Sequence, residues 1–245
     1  MTKSITSYTT EYLDDFGFEA EMVRYRRQLV LERLAHHSPQ TVIELGCGAD
    51  LQAKGYWDAG GRWSDWTIIE PSQFFSDHAR ASPLPGLRVI QGFFENVTEQ
   101  VPNAADLMLC SGLLHEVPDS DQLISAMRQR MGPETVLHIN VPNAQSIHRQ
   151  LAQAMGLIDD VKAISPRNAS LQQPRVYDLP DLVAQLEDHG LSVTATGGHL
   201  VKPFTHQQME PLVSDLGREV MNGLYELGKR LPNLASEVFV EARIA

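Results

Sequence analysis

Cysteine is scarce. Cys47 and Cys110 are the only two in 245 residues, too few for a disulfide framework, and both sit inside apolar runs. Two thiols so placed read as small buried side chains in a reducing compartment, which points to a cytoplasmic protein. Positive charge is also short: 20 Lys and Arg face 31 Asp and Glu, a formal net charge of -11. Such a surface repels phosphate backbones, so nucleic acid is set aside as a partner. No stretch of about 18 apolar residues occurs, so no membrane span is expected. The segment from Met1 to Glu21 carries acids and lacks the apolar stretch of a secretory signal. No histidine pairs with Cys or acid at metal-ligand spacing, and His115-Glu116 lacks a second His four residues after the first. No metal is expected.

What remains is an ordinary globular composition, 42% hydrophobic and 21% charged, which excludes disorder and coiled coil. The length suits one domain over residues 1–245 with a modest insertion. Short apolar runs alternate with helical patterns, the signature of a parallel sheet covered by helices. A first helix is expected from about Glu19 to His36, its apolar Met22, Val23, Leu29, Val30 and Leu34 following a 3.6-residue period. Strands are expected at Thr41–Leu45, Trp66–Glu70, Leu87–Gln91, Asp106–Cys110 and Thr135–Val141, with a crossover helix over Asp119–Met131. Ser146 to Gly156 reads as helix, followed by a polar, irregular stretch from Ile158 to Gln173. Asp178 is an N-cap with Pro180 in the first turn of the next helix, and Gly190 ends it. A sixth strand at Leu191–Thr196, a long amphipathic helix from Met209 through Leu227, and a last strand at Ser236–Ile244 complete the chain. Residues 142–178 form an inserted cap.

The segment Val42-Ile43-Glu44-Leu45-Gly46-Cys47-Gly48-Ala49-Asp50 carries the most information. An acid near a strand end followed by Gly-x-Gly lets bare backbone approach a ligand. A dinucleotide fingerprint needs a third glycine to seat a pyrophosphate on a helix N-terminus. Leu51 stands there instead, and Asp50 would repel a phosphate, so NAD and FAD are disfavoured. Glu70 ends the second strand at about the spacing at which an acid grips a ribose diol; a carboxylate accepts both hydroxyls at once. The plainer alternatives are a structural turn and a solvated strand-end acid.

With Glu70-Pro71, Gly92-Phe93-Phe94-Glu95 and the run from Asp106 through Ser111 to Asp119, the order of these elements resembles the class I S-adenosylmethionine (SAM)-dependent methyltransferases. The resemblance implies a Rossmann-like α/β fold with a seven-stranded, mostly parallel sheet and helices on both faces. It implies SAM as cofactor, bound by Glu44, Gly46, Gly48, Glu70, Pro71, Phe93, Phe94 and Ser111. Gly46 and Gly48 would pass under the methionine moiety, Glu70 would hold the ribose hydroxyls, and Phe93 and Phe94 would flank adenine. Many members place an Asp where Phe93 stands, so adenine recognition would rest on stacking, backbone N–H groups and Glu95. Ser111 and Leu113 would line the site beneath the sulfonium. Arg24 or Arg27 would pair with the SAM carboxylate, unless they merely solvate a helix face.

Methyl transfer from a sulfonium disperses charge, so positioning of the nucleophile can supply most of the acceleration. A base matters only if the acceptor loses its proton early. His115 has the best address for that role, at the ligand end of the fourth strand, ahead of His138 and His148. Asn140 alternates with apolar neighbours on the fifth strand and can aim its amide at the pocket, while Tyr177 sits where the cap returns. Each could equally fix a loop. Tyr8, Tyr12 and Phe16 could cover the sulfonium, since aromatic faces attract cations, or clasp the first helix. The leading reading is a small-molecule O- or N-methyltransferase in which residues 1–20 and 142–178 form the acceptor lid. A looser resemblance, carried by Tyr8 to Phe16, Asn140 and Tyr177, is to the azetidine-2-carboxylate synthases of the same fold. It implies attack of SAM's own amine on its γ-carbon with loss of methylthioadenosine, in a site closed to water, with Asn140 and Tyr177 steering the amine. A non-enzymatic protein-binding role is the third alternative, and the intact Gly46, Gly48 and Glu70 argue against it.

Overall fold

A computed structural model describes residues 17–164, 168 and 173–245. Seven strands are ordered β3-β2-β1-β4-β5-β7-β6. They are β1 (Thr41–Leu45), β2 (Asp65–Glu70), β3 (Leu87–Gln91), β4 (Leu107–Ser111), β5 (Val136–Pro142), β6 (Leu191–His199) and β7 (Glu237–Ile244). Neighbours from β3 to β5 run parallel, and β7 is antiparallel to both β5 and β6. The expected α/β sheet is therefore present. Because parallel neighbours cannot be joined by a hairpin, two short helices fill the first crossovers, α2 (Gln52–Asp58) and α3 (Gln73–Arg80). Strand β6 outruns its expected end at Thr196, since pairing with β7 continues to His199 opposite Glu237.

Alternation along the strands sends successive side chains to opposite faces. Leu45, Met108, Cys110, Leu137, Ile139 and Val141 pack beneath α5 (Ser120–Arg130) and α7 (Leu179–Asp188). Val42, Ile68, Leu107 and Leu109 pack on the other face with α1 (Glu19–His37), α2 and α3. Asp119 and Asp178 cap α5 and α7, accepting from the N–H groups of Gln122 and Asp181 at 2.9 and 3.0 Å. Helices α4 (Phe94–Val97) and α6 (Ile147–Ala154) are short, and α8 (His206–Arg230) lies on α1, where the Tyr25 and Tyr225 rings stack at 5.1 Å. The expected long amphipathic helix is present and has a break inside: Gly217 has φ 74° and ψ 170°, a non-helical conformation open essentially to glycine.

Next to the α1–α8 seam, the sheet face is polar instead of apolar. Arg26 and Arg33 stand two helical turns apart on α1, about 10.5 Å. Glu237 and Glu241 stand four residues apart on β7, about 13 Å. The two pairs meet: Arg26 bonds Glu237 and Arg33 bonds Glu241, with Nη2–Oε distances of 2.5 and 2.6 Å. After β5 the chain leaves the sheet, and Tyr177 later bridges back to Asn143. The N-terminal lid expected over residues 1–20, with Tyr8, Tyr12 and Phe16, falls almost wholly outside the described residues; Phe18 is buried between α1 and α8.

Candidate functional site

The turn after β1 is built by two left-handed glycines, Gly46 at φ +73° and Gly48 at +59°, which expose backbone where a side chain would be strained. Gly46 N–H donates to the Ile69 carbonyl at 2.9 Å, tying the turn to β2. The Leu113 side chain lies 4.0 Å from where a Gly46 Cβ would stand, at ordinary contact distance. Glu70 closes β2 directly beside it. Its Oε2 accepts from Cys47 N–H at 3.1 Å and its Oε1 from Ser72 N–H at 2.8 Å. Burial raises its pKa, and these backbone bonds work against the rise. The Cys47 thiol also reaches Oε2 at 3.7 Å, so both oxygens are tied to the turn, and a sugar hydroxyl arriving here would compete with that weak thiol donor. Pro71 then leads into Ser72, the N-cap of α3.

Around that turn the expected residues divide. Arg27 donates to the carbonyls of Asp50 and Leu51, so its guanidinium holds the glycine turn itself. Arg24 is exposed and, with Arg27, Gln28 and Asp50, lines a cavity of about 480 Å³. Glu44 is buried, with its carboxyl accepting from the Trp66 indole N–H at 2.8 Å. Burial pushes its pKa to about 7. Its carboxylate is thus engaged with Trp66 behind the turn.

The two phenylalanines expected to flank adenine part company. Phe93 is 52% exposed, whereas Phe94 is 4% exposed within the core; the pair straddles the start of α4, where successive residues point in different directions. Phe74, at the start of α3, is 56% exposed, an aromatic at the ligand end of β2 that nothing in the glycine motif announces. Its signal is the capped turn Pro71-Ser72 just before it.

At the carboxyl ends of β4 and β5, Ser111 lies opposite Asn140 in register, and Gly112 N–H donates to the Asn140 carbonyl at 3.0 Å. His115 is buried, its Nε2 3.7 Å from Glu116 Oε1 and its Nδ1 without a hydrogen bond. Burial lowers its pKa, so it stands as a neutral imidazole. Asn140 is fully buried; its Nδ2 donates to Glu237 Oε2 at 2.9 Å, and its Oδ1 has no partner. Burial alone would raise the Glu237 pKa, but the Arg26 charge and hydrogen bonds outweigh it and bring it to about 2.

Tyr177 is placed otherwise than expected. Its ring is in the core with Leu137, Ile139 and Val141, and its hydroxyl donates to Gln185 Oε1 of α7 at 2.8 Å. Asn140 faces α1 and Tyr177 faces α7, on opposite sides of the sheet, so the expectation that both steer one amine is corrected here. One residue of strand register separates the two faces. His138 is buried 3.3 Å from Glu241, deeper in the sheet. His148 bonds Ser146 Oγ at 3.0 Å, and burial takes its pKa to about 3. Among the described residues no group of three or more His, Cys, Asp or Glu is placed to hold a metal, and no helix is long and apolar enough to cross a membrane.

Comparisons with known proteins agree with this geometry. A family model described as a methyltransferase domain matches residues 18–196. A ubiquinone biosynthesis O-methyltransferase of Photorhabdus laumondii is 26% identical over 109 residues, 44% of this chain and 45% of that relative, so the match takes in less than half of the relative's own length. The N-methyltransferase NodS of Bradyrhizobium japonicum, solved with S-adenosylhomocysteine, superposes with a TM-score of 0.54 at 14% identity, covering 95% of this chain and 90% of that one. The cyclase SpnF superposes with a TM-score of 0.58 at 17% identity, covering 89% and 80%. With a left-handed glycine turn, a tethered acid at the next strand end and this strand order, the chain belongs to the methyltransferase-domain family.

Proposed function

We propose that the chain transfers the SAM methyl group to an oxygen or nitrogen of a small molecule. The observation that supports this best is Glu70 fixed by the Cys47 and Ser72 N–H groups against the Gly46–Gly48 turn. That arrangement offers a sugar-binding carboxylate and bare backbone side by side. When bound, SAM supplies a methyl carbon activated by its sulfonium. The chain's own residues then have three tasks. Glu70 and the glycine turn hold the cofactor, Phe93 and Phe74 offer exposed rings to adenine, and Ser111, His115 and Asn140 border the acceptor. His115, neutral through burial, can take a proton from an acceptor hydroxyl or amine. The acidic surface suits a small molecule.

A second reading keeps the cofactor and dispenses with the acceptor: cyclisation of SAM to azetidine-2-carboxylate with release of methylthioadenosine. The bare, buried Oδ1 of Asn140 favours it, because that atom can receive an amine N–H. The fold of the cyclase neighbour is likewise not tied by name to methyl transfer. Tyr177, facing α7, supports this reading less than Asn140 does.

Incubation of the purified chain with SAM, alone and with a panel of phenols and amines, tests both. S-adenosylhomocysteine that forms only with an added acceptor is the expected result for methyl transfer. Methylthioadenosine from SAM alone establishes cyclisation instead. Neither product, together with no SAM binding by calorimetry, overturns the enzymatic reading.

A further inference from the structure

Of the two places where the first helix and the last strand meet, the Arg26–Glu237 pair lies beneath the ligand end of the sheet. Arg26 Nε donates to both carboxylate oxygens of Glu237 at 3.0 and 2.9 Å, and Arg26 Nη2 reaches Oε1 at 2.5 Å. Glu237 is wholly buried and remains charged. A carboxylate so held is an acceptor only, so the Asn140 amide has no choice of orientation. Its Nδ2 must face Glu237, as the 2.9 Å contact shows, and its Oδ1 must face away. That oxygen is buried and bonded to nothing. A lone buried acceptor costs free energy unless a donor arrives. The two histidines of the cluster bring no donor to it: His115 Nδ1 and both His199 ring nitrogens also lack hydrogen bonds, with His199 Nε2 3.6 Å from Glu237. The position is the carboxyl end of β5, opposite Ser111 and next to Gly112, whose own Cβ position would lie 3.0 Å from Arg26 Nη1.

We propose that Glu237, locked by Arg26, is a positioning residue that presents Asn140 Oδ1 as a fixed acceptor for an N–H or O–H donor on the reacting group. This rests on the functional reading above and sharpens it: the group received there is an amine or a hydroxyl, and a tertiary amine, a thioether or an ether oxygen is refused. A ligand without a hydrogen to give leaves the Asn140 oxygen unpaired in a dry site.

Two measurements on the full chain test this. Nitrogen-15 NMR reads the Asn140 carboxamide, assigned by its disappearance in Asn140→Asp; its protons lie downfield in the native chain and move upfield in Glu237→Gln. The second measurement is the rate of SAM loss at saturating SAM, under the condition in which the native chain consumes it and below the melting point of each variant. Glu237→Gln lowers the rate per folded molecule about tenfold or more. Exchanging the pair, Glu237→Gln with Asn140→Asp, lets the new amide donate to the new carboxylate and returns a free acceptor oxygen. The rate then recovers to within about threefold of native. A purely structural role would lower the melting temperature and leave the rate of folded protein unchanged. Should Glu237→Gln not fold, Arg26→Lys, which keeps the charge and loses the paired donors, is read in its place and slows SAM loss in the same direction. Native-like rates in a folded variant, or carboxamide protons unmoved by Glu237→Gln, overturn the proposal. If the native chain consumes no SAM under any condition, the functional reading fails, and the NMR measurement alone decides the orientation.

Discussion

Glu70 accepts backbone N–H groups from two segments while burial raises its pKa, so its removal loosens the turn as well as deleting a ligand. Glu70→Ala is expected to weaken SAM binding by about 1–3 kcal/mol, roughly 5- to 150-fold, read by titration calorimetry. An unchanged affinity would contradict the ribose assignment. Glu44 makes a different prediction because its pKa is pushed to about 7 by burial. An acid whose folded pKa exceeds its unfolded value binds protons more tightly when folded, so stability falls as pH rises between the two. Glu44→Gln keeps an acceptor for the Trp66 indole without the charge. It is expected to raise stability at pH 9 by roughly 1–3 kcal/mol and to change little at pH 4, measured by urea unfolding at both. Equal effects at both pH values would show that Glu44 is not a buried, proton-linked acid. Gly46, Gly48 and Glu70 were legible in the sequence because their roles are local: a strand end, a left-handed turn, an acid on the next strand. Phe94 and Tyr177 were misplaced because which way a side chain faces depends on packing that composition does not reveal. Glu237 was invisible for a further reason, its partner Arg26 being 211 residues away.

Helix α1 and strand β7 are coupled twice, and the second coupling reports on assembly more than on chemistry. Arg33 donates to both oxygens of Glu241 at 2.8 and 2.6 Å, with His37 and His138 at 3.0 and 3.3 Å from the same carboxylate. Burial opposes the charge on Glu241, but these partners hold its pKa far below the usual carboxylate range. Arg33→Ala leaves that buried charge short of its main partner and is expected to cost about 3–5 kcal/mol, seen as a lower urea midpoint. A loss below about 1 kcal/mol would place the pair among ordinary surface bridges. In α8 the break at Gly217 has open space around it, so only the backbone resists a side chain there. Gly217→Ala is expected to lose roughly 1–3 kcal/mol through strain alone. A stabilised variant would mean that α8 straightens and the break is no built feature. The sequence signalled α8 through its apolar period yet hid the break, since an isolated glycine within a helical pattern more often marks a weak point than a stop.

The sheet order, the glycine turn and the acid of β2 converge on one ligand, and this can be tested on the whole molecule without knowing the acceptor. A ligand that binds only the folded chain stabilises it by about 2.7 kcal/mol at 100 times its Kd. For a chain of this size each kcal/mol shifts the melting temperature by about 2–4 °C. SAM at that excess is therefore expected to raise the Tm by about 5–11 °C in a thermal-shift assay. NAD at equal concentration is expected to leave it unchanged, because Leu51 stands where a pyrophosphate needs glycine and the Asp50 carboxylate lies beside the turn. The contrast matters more than the size of the shift. A nonspecific effect of adenosine would raise both, and a fold that had lost its cofactor would raise neither. In Glu70→Ala the SAM shift should shrink by about 2–10 °C, in step with the affinity lost to that substitution. A full shift in that variant would detach the carboxylate from the cofactor, and with it the geometric case for where SAM lies.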